Sequence, residues 1–306
     1  MPPKSPEDSA LRWVPGEGPV DLQPLATGLV NESWRVTRAG RCYSLRVATS
    51  RAQELGIARA WECRVLAHAA AAGVAPLVHR CEPAAGILVA DWVPGRPWTA
   101  AETRQPKNVD AMAALLRRVH ALPIPEPARR MHPRDWILLY GAALARLPSA
   151  HTHATSPPAS ALLGAAAQAQ LARLGDLEPP HPVLCHSDVH RCNVAVGPRL
   201  MLLDWEYAHV SEPCWDLAGW IANNDGSEEF ASAVLASYAG RHASAAELTR
   251  LRLMLWLYDY VCLQWSELFA SQASGSAADA DTAAGVAARA DRLALRLRGA
   301  AGGSAG

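Results

Sequence analysis

The chain is poor in phenylalanine, with two residues against eleven tryptophans, and its 29 basic side chains are matched by 29 acidic ones, so it has no net charge. That balance gives no general attraction for nucleic acid or an anionic membrane surface. No uninterrupted apolar run reaches the ~18 residues of a membrane span. The seven cysteines are odd in number, scattered and without a CxxC pair. A secreted disulfide framework is therefore not expected, and the thiols are expected to be reduced and mostly buried. Met1 to Asp8 is polar and proline-rich and lacks the apolar core of a signal peptide, so a cytoplasmic protein is the default expectation. There is no internal repeat and no G-x-G-x-x-G. What remains is a chain of 306 residues, half of them hydrophobic. That is long enough for two lobes with cores of their own at ~100–200 residues per domain.

Chemistry concentrates in Pro182 to Glu206, PVLCHSDVHRCNVAVGPRLMLLDWE. Val183 to Cys185 is a short apolar run ending at His186. Asn193 opens a second, Val194 to Val196, which stops at Gly197 and Pro198, residues that punctuate turns. Met201 to Leu203 returns toward Asp204. A hairpin closed around the four residues Gly197 to Leu200 places Val196 opposite Met201, Val194 opposite Leu203 and Asn193 opposite Asp204. Opposed residues have Cβ atoms about 4.5–5.5 Å apart, which lets an amide oxygen and a carboxylate share one magnesium ion, a hard cation that takes oxygen ligands. Asp188 falls in the loop leading into the hairpin, where it can accept a proton from an attacking hydroxyl.

H-x-D-x-x-x-x-N followed by a later aspartate resembles the catalytic and metal-binding segments of the protein-kinase-like phosphotransferases. HSDVHRCN, LLDWEYA and PCWDLAGW are together similar to the aminoglycoside phosphotransferase and choline kinase superfamily, on its choline kinase and thiamine kinase side. The resemblance implies Asp188 as catalytic base, Asn193 and Asp204 as magnesium ligands, and His186 and Asp216 as structural supports of the catalytic loop. It implies ATP and Mg²⁺ as cofactors. Ser187 stands where protein kinases carry arginine, and Asp204-Trp205-Glu206 replaces their aspartate, phenylalanine and glycine.

The nucleotide site is expected upstream. Leu25 to Val36 reads as strand, turn and strand, with Gly28 and Asn31 in a phosphate-binding turn. By resemblance, Arg46 on the strand Tyr43 to Val47 takes the place of a phosphate-pairing lysine, a role its bidentate guanidinium suits. Glu62, on the helical segment Ala58 to Ala72, is its expected partner. Gly86 to Gly95 resembles a hinge whose backbone at Asp91, Trp92 and Val93 hydrogen-bonds an adenine.

The expected fold is α+β, a bilobal protein-kinase-like fold with an N-terminal antiparallel sheet lobe carrying one helix and a larger, mainly helical C-terminal lobe. The expected boundaries are a disordered N-terminus over 1–9, a nucleotide-binding lobe over 10–95, a catalytic and substrate-binding lobe over 96–298 and a flexible tail over 299–306. Helical periodicity runs over Val109 to His120 and Asp135 to Leu147, with an Ala-rich helix at Leu162 to Leu174 and another at Ala277 to Leu297.

Trp205, Tyr207, Trp215, Trp220, Trp256, Tyr258, Tyr260 and Trp265 all follow Asp204. On the helix LRLMLWLYDYVCLQWSEL, Trp256, Asp259 and Tyr260 share a face. Two aromatic faces beside one carboxylate suit a single buried cation, and Glu206 adds negative charge. The resemblance thus implies an ATP-dependent kinase acting on a hydroxyl of a small cationic alcohol of the choline, ethanolamine or thiamine type. An aminoglycoside or sugar acceptor is the alternative on the same fold. More remote readings are a zinc hydrolase, from the crowding of Cys185, His186, Asp188, His190 and Cys192, and a pseudokinase that binds nucleotide without turnover. Against zinc, an extended segment points Cys185 away from His186. Against a pseudokinase, Asp188, Asn193 and Asp204 are all present. The expected partner is a small-molecule substrate, with no nucleic acid and no membrane; sequence leaves the oligomeric state open.

Overall fold

In a computed structural model of the chain, all residues are described except 1–4, 26–29, 50–51, 53–54, 148–156, 225, 272–276 and 303–306. Gly28 therefore lies outside the described residues. The chain divides into two compact units, one formed by residues 1–129 and 183–210, the other by 130–182 and 211–306. The expected boundary at residue 95 falls inside the first unit.

The first unit opens with helix α1 (Pro6–Trp13), capped by Ser5, whose side chain accepts from the Asp8 amide. A five-stranded antiparallel sheet follows, made of β1 (Asp21–Pro24), β2 (Asn31–Arg38), β3 (Arg41–Ala48), β4 (Val78–Glu82) and β5 (Ile87–Asp91). The spatial order is β1-β2-β3-β5-β4. Alternation along β2, β3 and β5 sends Val36, Tyr43, Leu45, Ile87 and Val89 to one face, where they are buried with Ala10 and Val14. The opposite parity leaves Arg46 opposite Leu88 and Ser33, on the other side of the sheet from Leu45. Between β3 and β4 runs α2 (Arg59–Ala71), which buries Trp61, Val65, Leu66 and Ala69. That spacing, close to one and two helical turns, is a single apolar stripe.

α2 packs beside β4, and Cys63 of α2 is joined to Cys81 of β4 by a disulfide with a Cα–Cα distance of 5.7 Å. This corrects the expectation of reduced thiols for that pair. The two are 18 positions apart in the chain, and only the turn from helix back to strand brings them within the ~4.4–6.8 Å a disulfide needs. The other five cysteines are thiols.

After β5 come α3 (Ala100–Thr103) and α4 (Pro106–His120), then, after the segment that belongs to the second unit, β6 (Val183–Cys185), a 3₁₀ turn (Arg191–Asn193), and the hairpin β7 (Val194–Val196) and β8 (Leu200–Leu202). The hairpin register differs from expectation by one residue. Val196 faces Leu200 and Val194 faces Leu202, while the Leu203 amide donates to the Asn193 carbonyl at 2.8 Å. The loop has three residues, Gly197 to Arg199, not four. Pro198 has no N–H to extend the ladder, and Val196 also bridges to Arg96. Asn193 thus lies opposite Leu203, and Asp204 comes one residue after the paired end.

The second unit is helical: α5 (Pro133–Ala145), α6 (Ala159–Leu162), α7 (Gly164–Gly175), α8 (Pro213–Asn223), α9 (Glu228–Ala239), α10 (Ala245–Ser271) and α11 (Ala277–Gly302). α10 buries residues on all its faces because α5, α7, α8 and α11 pack around it, as a helix apolar all round requires. Where α8 meets α10, an added Cβ on Gly219 lies 3.1 Å from the Tyr258 ring, so a larger residue there requires the ring to shift by a few tenths of an ångström. Among the described residues, no helix is long and apolar enough to cross a membrane.

Candidate active site

β6 delivers the chain to His186, which is fully buried and edge-on to the Trp205 ring at 4.8 Å. His186 Nε2 donates to the Leu203 carbonyl at 2.8 Å, and Nδ1 accepts from the Asp188 amide at 3.3 Å. One ring therefore ties Asp188 to the segment carrying Asp204, with its tautomer set by those partners. Between them Ser187 has φ +73°. The left-handed region costs a non-glycine residue ~1–3 kcal/mol and is held only where surroundings fix it. Ser187 Oγ lies 2.8 Å from His209 Nδ1, one such restraint.

Asn193 closes the loop from the other side. Its Nδ2 donates to the Asp188 carbonyl and to Asp188 Oδ2, both at 3.0 Å. With the nitrogen committed to Asp188, the amide oxygen points the other way. His190 also reaches Asp188, with Nε2 3.4 Å from Oδ2. Burial works against a charge on His190, but the Asp188 carboxylate outweighs it and pushes the group up to about 10.

Asp204 has φ +59°, which turns its carboxylate out of the line of β8. Its Oδ1 accepts from Arg46 Nη1 at 2.6 Å. The other nitrogen of Arg46, Nη2, donates to Glu62 Oε1, so the expected pairing of strand arginine with helix carboxylate is present and buried. Arg59, one helical turn before Glu62, donates to Glu62 Oε2 at 2.9 Å, to Glu206 Oε2 at 2.8 Å and to Asn31 Oδ1 at 2.6 Å. Asn31 Nδ2 in turn donates to Glu206 Oε2 at 2.7 Å.

These contacts leave an excess of negative charge. Four carboxylates, Glu62, Asp188, Asp204 and Glu206, meet three cations, Arg46, Arg59 and His190. Burial raises Asp204, with Glu62 and Asp188 adding to the effect against Arg46. Burial, with Asp204 beside it, pushes Glu206 up to about 7 against the two guanidiniums. Glu62, held by both arginines, stays low in spite of its burial. Among the described residues, Asp204 Oδ2 and Asn193 Oδ1 take no hydrogen bond. The Asp204 side chain is 37% exposed. Two hard oxygens on an electron-rich, partly open site fit a divalent cation such as magnesium.

At the expected hinge, the Asp91 amide donates to the Leu77 carbonyl at 2.8 Å and that of Trp92 to Cys42 at 3.3 Å. The Asp91 carboxylate takes His79 Nε2 at 2.7 Å. Of the three expected hinge amides, only that of Val93 makes no backbone hydrogen bond among the described residues.

Asp216, Trp256, Asp259 and Tyr260 belong to the second unit. Asp216 is fully buried in the first turn of α8. Trp256 and Tyr260 stack at 5.5 Å and 12°, as their spacing predicts. Asp259, however, is paired to Arg296 of α11. Trp256 Nε1 donates to the Leu297 carbonyl at 3.4 Å, and Tyr260 OH donates to the Ser160 carbonyl at 2.8 Å. Arg59 and His190 as polar partners of the site were missed from sequence. The signal for Arg59 was an opposite charge three residues before Glu62 on one helix.

No curated protein sequence matches the chain. Among solved structures, a choline/ethanolamine kinase family protein from Mesorhizobium loti is 22% identical with a TM-score of 0.71, over 97% of this chain and 91% of that one. The choline kinase LicA from Streptococcus pneumoniae is 18% identical with a TM-score of 0.74, over 96% and 97%, and LicA has also been solved in complex with AMP. Macrolide 2′-phosphotransferase MphH from Brachybacterium faecium is 20% identical with a TM-score of 0.59, over 92% and 95%. At these identities the likeness is one of fold, the kinase-like arrangement of an antiparallel sheet followed by a mainly helical part. The profile of the phosphotransferase enzyme family matches residues 21–254, well over half the chain and including the segments that carry Arg46, Glu62, Asp188, Asn193 and Asp204, so the protein is a kinase-type phosphotransferase belonging to that family.

Proposed function

We propose that the protein transfers the γ-phosphoryl group of ATP to a hydroxyl of a small cationic alcohol of the choline, ethanolamine or thiamine type. The observation that carries this reading is the joint restraint of Asp188 by Asn193, His186 and His190 next to an Asp204 gripped by Arg46. LicA in complex with AMP is a neighbour in fold that takes an adenine nucleotide.

Asp188 orients the acceptor hydroxyl and takes its proton as the oxygen bonds to the γ-phosphorus; the bond to the β-phosphate oxygen breaks and ADP leaves. Asn193 fixes the Asp188 carboxylate, so little reorganisation is needed at the moment of transfer. Arg46, anchored by Glu62, holds phosphate charge. Asn193 Oδ1 and Asp204 Oδ2 would hold magnesium, which when bound supplies neutralisation of phosphate charge. At the hinge, the Val93 amide is the donor for the adenine.

The acceptor class is supported by the choline and choline/ethanolamine kinase neighbours; Asp259, already paired to Arg296, adds nothing to it. An ATP-consumption screen over choline, ethanolamine, thiamine, sugars and aminoglycosides tests it. Turnover with a monocationic alcohol is expected. Turnover confined to sugars or aminoglycosides overturns the acceptor class, and no ATP consumption with any acceptor counts against phosphotransfer itself.

A further inference from the structure

Arg59 opens α2, and the residue before it, Ala58, offers no side-chain cap. A cation is unfavourable there, since the helix N-terminus carries the positive end of the macrodipole. Its position is explained by what it reaches. One guanidinium touches Asn31 at the start of β2, Glu62 on α2 and Glu206 two residues beyond Asp204, at 2.6, 2.9 and 2.8 Å. These segments come from distant parts of the chain, and the Asn31 to Glu206 contact at 2.7 Å closes the circuit.

Resting on the phosphotransfer reading above, we propose that Arg59 is a positioning residue for that reaction. It locks the end of the expected nucleotide turn, the Arg46 anchor and the segment after Asp204 into one arrangement. The physical reason lies in how the carboxylates are shared. Arg46 serves Glu62 and Asp204 closely and stands 3.9 Å from Glu206. With Arg59 gone, buried Glu206 has no other guanidinium within hydrogen-bond distance among the described residues. Glu206 keeps the Asn31 contact at 2.7 Å, but the segment after Asp204 loses its tie through Arg59 to Glu62 on α2. Charge alone does not replace Arg59, because a lysine ammonium lacks the planar fork that spans several acceptors.

The test uses the full chain and three variants, Arg59→Lys, Arg59→Ala and Asn31→Ala, each checked by circular dichroism. Calorimetric titration with Mg·ADP reads binding without turnover. Arg59→Lys and Arg59→Ala are expected to weaken Mg·ADP about 10- to 100-fold, the scale of lost hydrogen bonds to charged groups. Their KM for Mg·ATP and magnesium half-saturation are expected to rise more than kcat falls, and methylguanidinium is expected to restore part of the Arg59→Ala loss. Asn31→Ala should show a smaller change of the same kind. Should Arg59→Ala fail to fold, Arg59→Lys decides. An active wild type beside a folded Arg59→Lys with unchanged Mg·ADP affinity and unchanged KM overturns the role of Arg59 alone. A wild type that binds Mg·ADP yet phosphorylates nothing overturns the reaction, not the positioning.

Discussion

Gly95 is the point at which the linker after the expected hinge meets the catalytic hairpin, and replacing it by alanine separates steric from conformational cost. Its φ is +152°, and a Cβ there lies 2.5 Å from the Val196 carbonyl oxygen and 3.2 Å from its carbon. Both partners are backbone, so no side chain can rotate aside. The linker must open by the better part of an ångström, at the place where Arg96 bridges to Val196. A conformation reserved for glycine costs ~1–3 kcal/mol, and overpacking against fixed atoms a further ~1–3 kcal/mol. Gly240→Ala is the control: its φ is +67°, and nothing lies within 4 Å of the added carbon, leaving only a left-handed penalty of ~1–2 kcal/mol. Thermal unfolding of wild type and both variants measures the difference. At roughly 1.5–2 °C per kcal/mol for a chain of this length, the combined ~2–6 kcal/mol is expected to lower Tm of Gly95→Ala by roughly 3–12 °C, against ~2–4 °C for Gly240→Ala. Because Val93 lies two residues upstream, KM for ATP should rise in Gly95→Ala only. Equal stability of the two variants would refute the close approach of linker and hairpin.

Other expectations follow from individual groups. Asp188→Asn should lower turnover by ~10²–10⁴, the contribution of a general base, with Mg·ADP affinity retained; near-normal turnover removes Asp188 from that role. Arg250 Nε donates to buried Glu212 at 2.6 Å, and burial already raises Glu212 against the pull of Arg250. A carboxyl raised in the folded state contributes stability below its unfolded value, which is lost as pH rises through the folded one. Arg250→Met raises it further, so the variant should lose ~3–5 kcal/mol at pH 8 and visibly less at pH 5; an equal loss at both refutes the pairing. Among the thiols, exposed Cys192 is lowered by its hydrogen bond to His190. Burial pushes Cys214 up to about 12. Timed alkylation followed by peptide mapping should therefore label Cys192 well before Cys214. The unfolded, unreduced protein should show five thiols, with Cys63 and Cys81 in one linked peptide.

The motif residues of the active loop were legible because their chemistry is local. His186, Asp188 and Asn193 lie within eight positions, and backbone geometry over so short a span leaves few arrangements. The sheet was legible for the same reason, since alternation of Val36, Tyr43 and Leu45 against Arg35, Ser44 and Arg46 separates two faces without any knowledge of the rest. The hairpin register was not: three- and four-residue closures satisfy the same apolar pattern, and the bridge from Arg96, about a hundred positions away in the chain, distinguishes them. Asp259 gave the opposite lesson. Its spacing from Trp256 and Tyr260 placed it beside two aromatic rings, but nothing in that spacing announced Arg296 on another helix as its partner.

Periodicity in this chain was enough to reveal an antiparallel sheet and a helical remainder, because side-chain direction repeats every two or 3.6 residues whatever the chain does elsewhere, and the resemblance of its motifs to a known family implied the type of reaction. Tertiary folding alone decided the Cys63–Cys81 bridge, the three-way grip of Arg59 and the surplus of carboxylates around Asp204. Those depend on charges and sulfurs from remote segments arriving within a few ångströms of one another. Coulomb and hydrogen-bond energies fall off over that distance, and no local pattern encodes it.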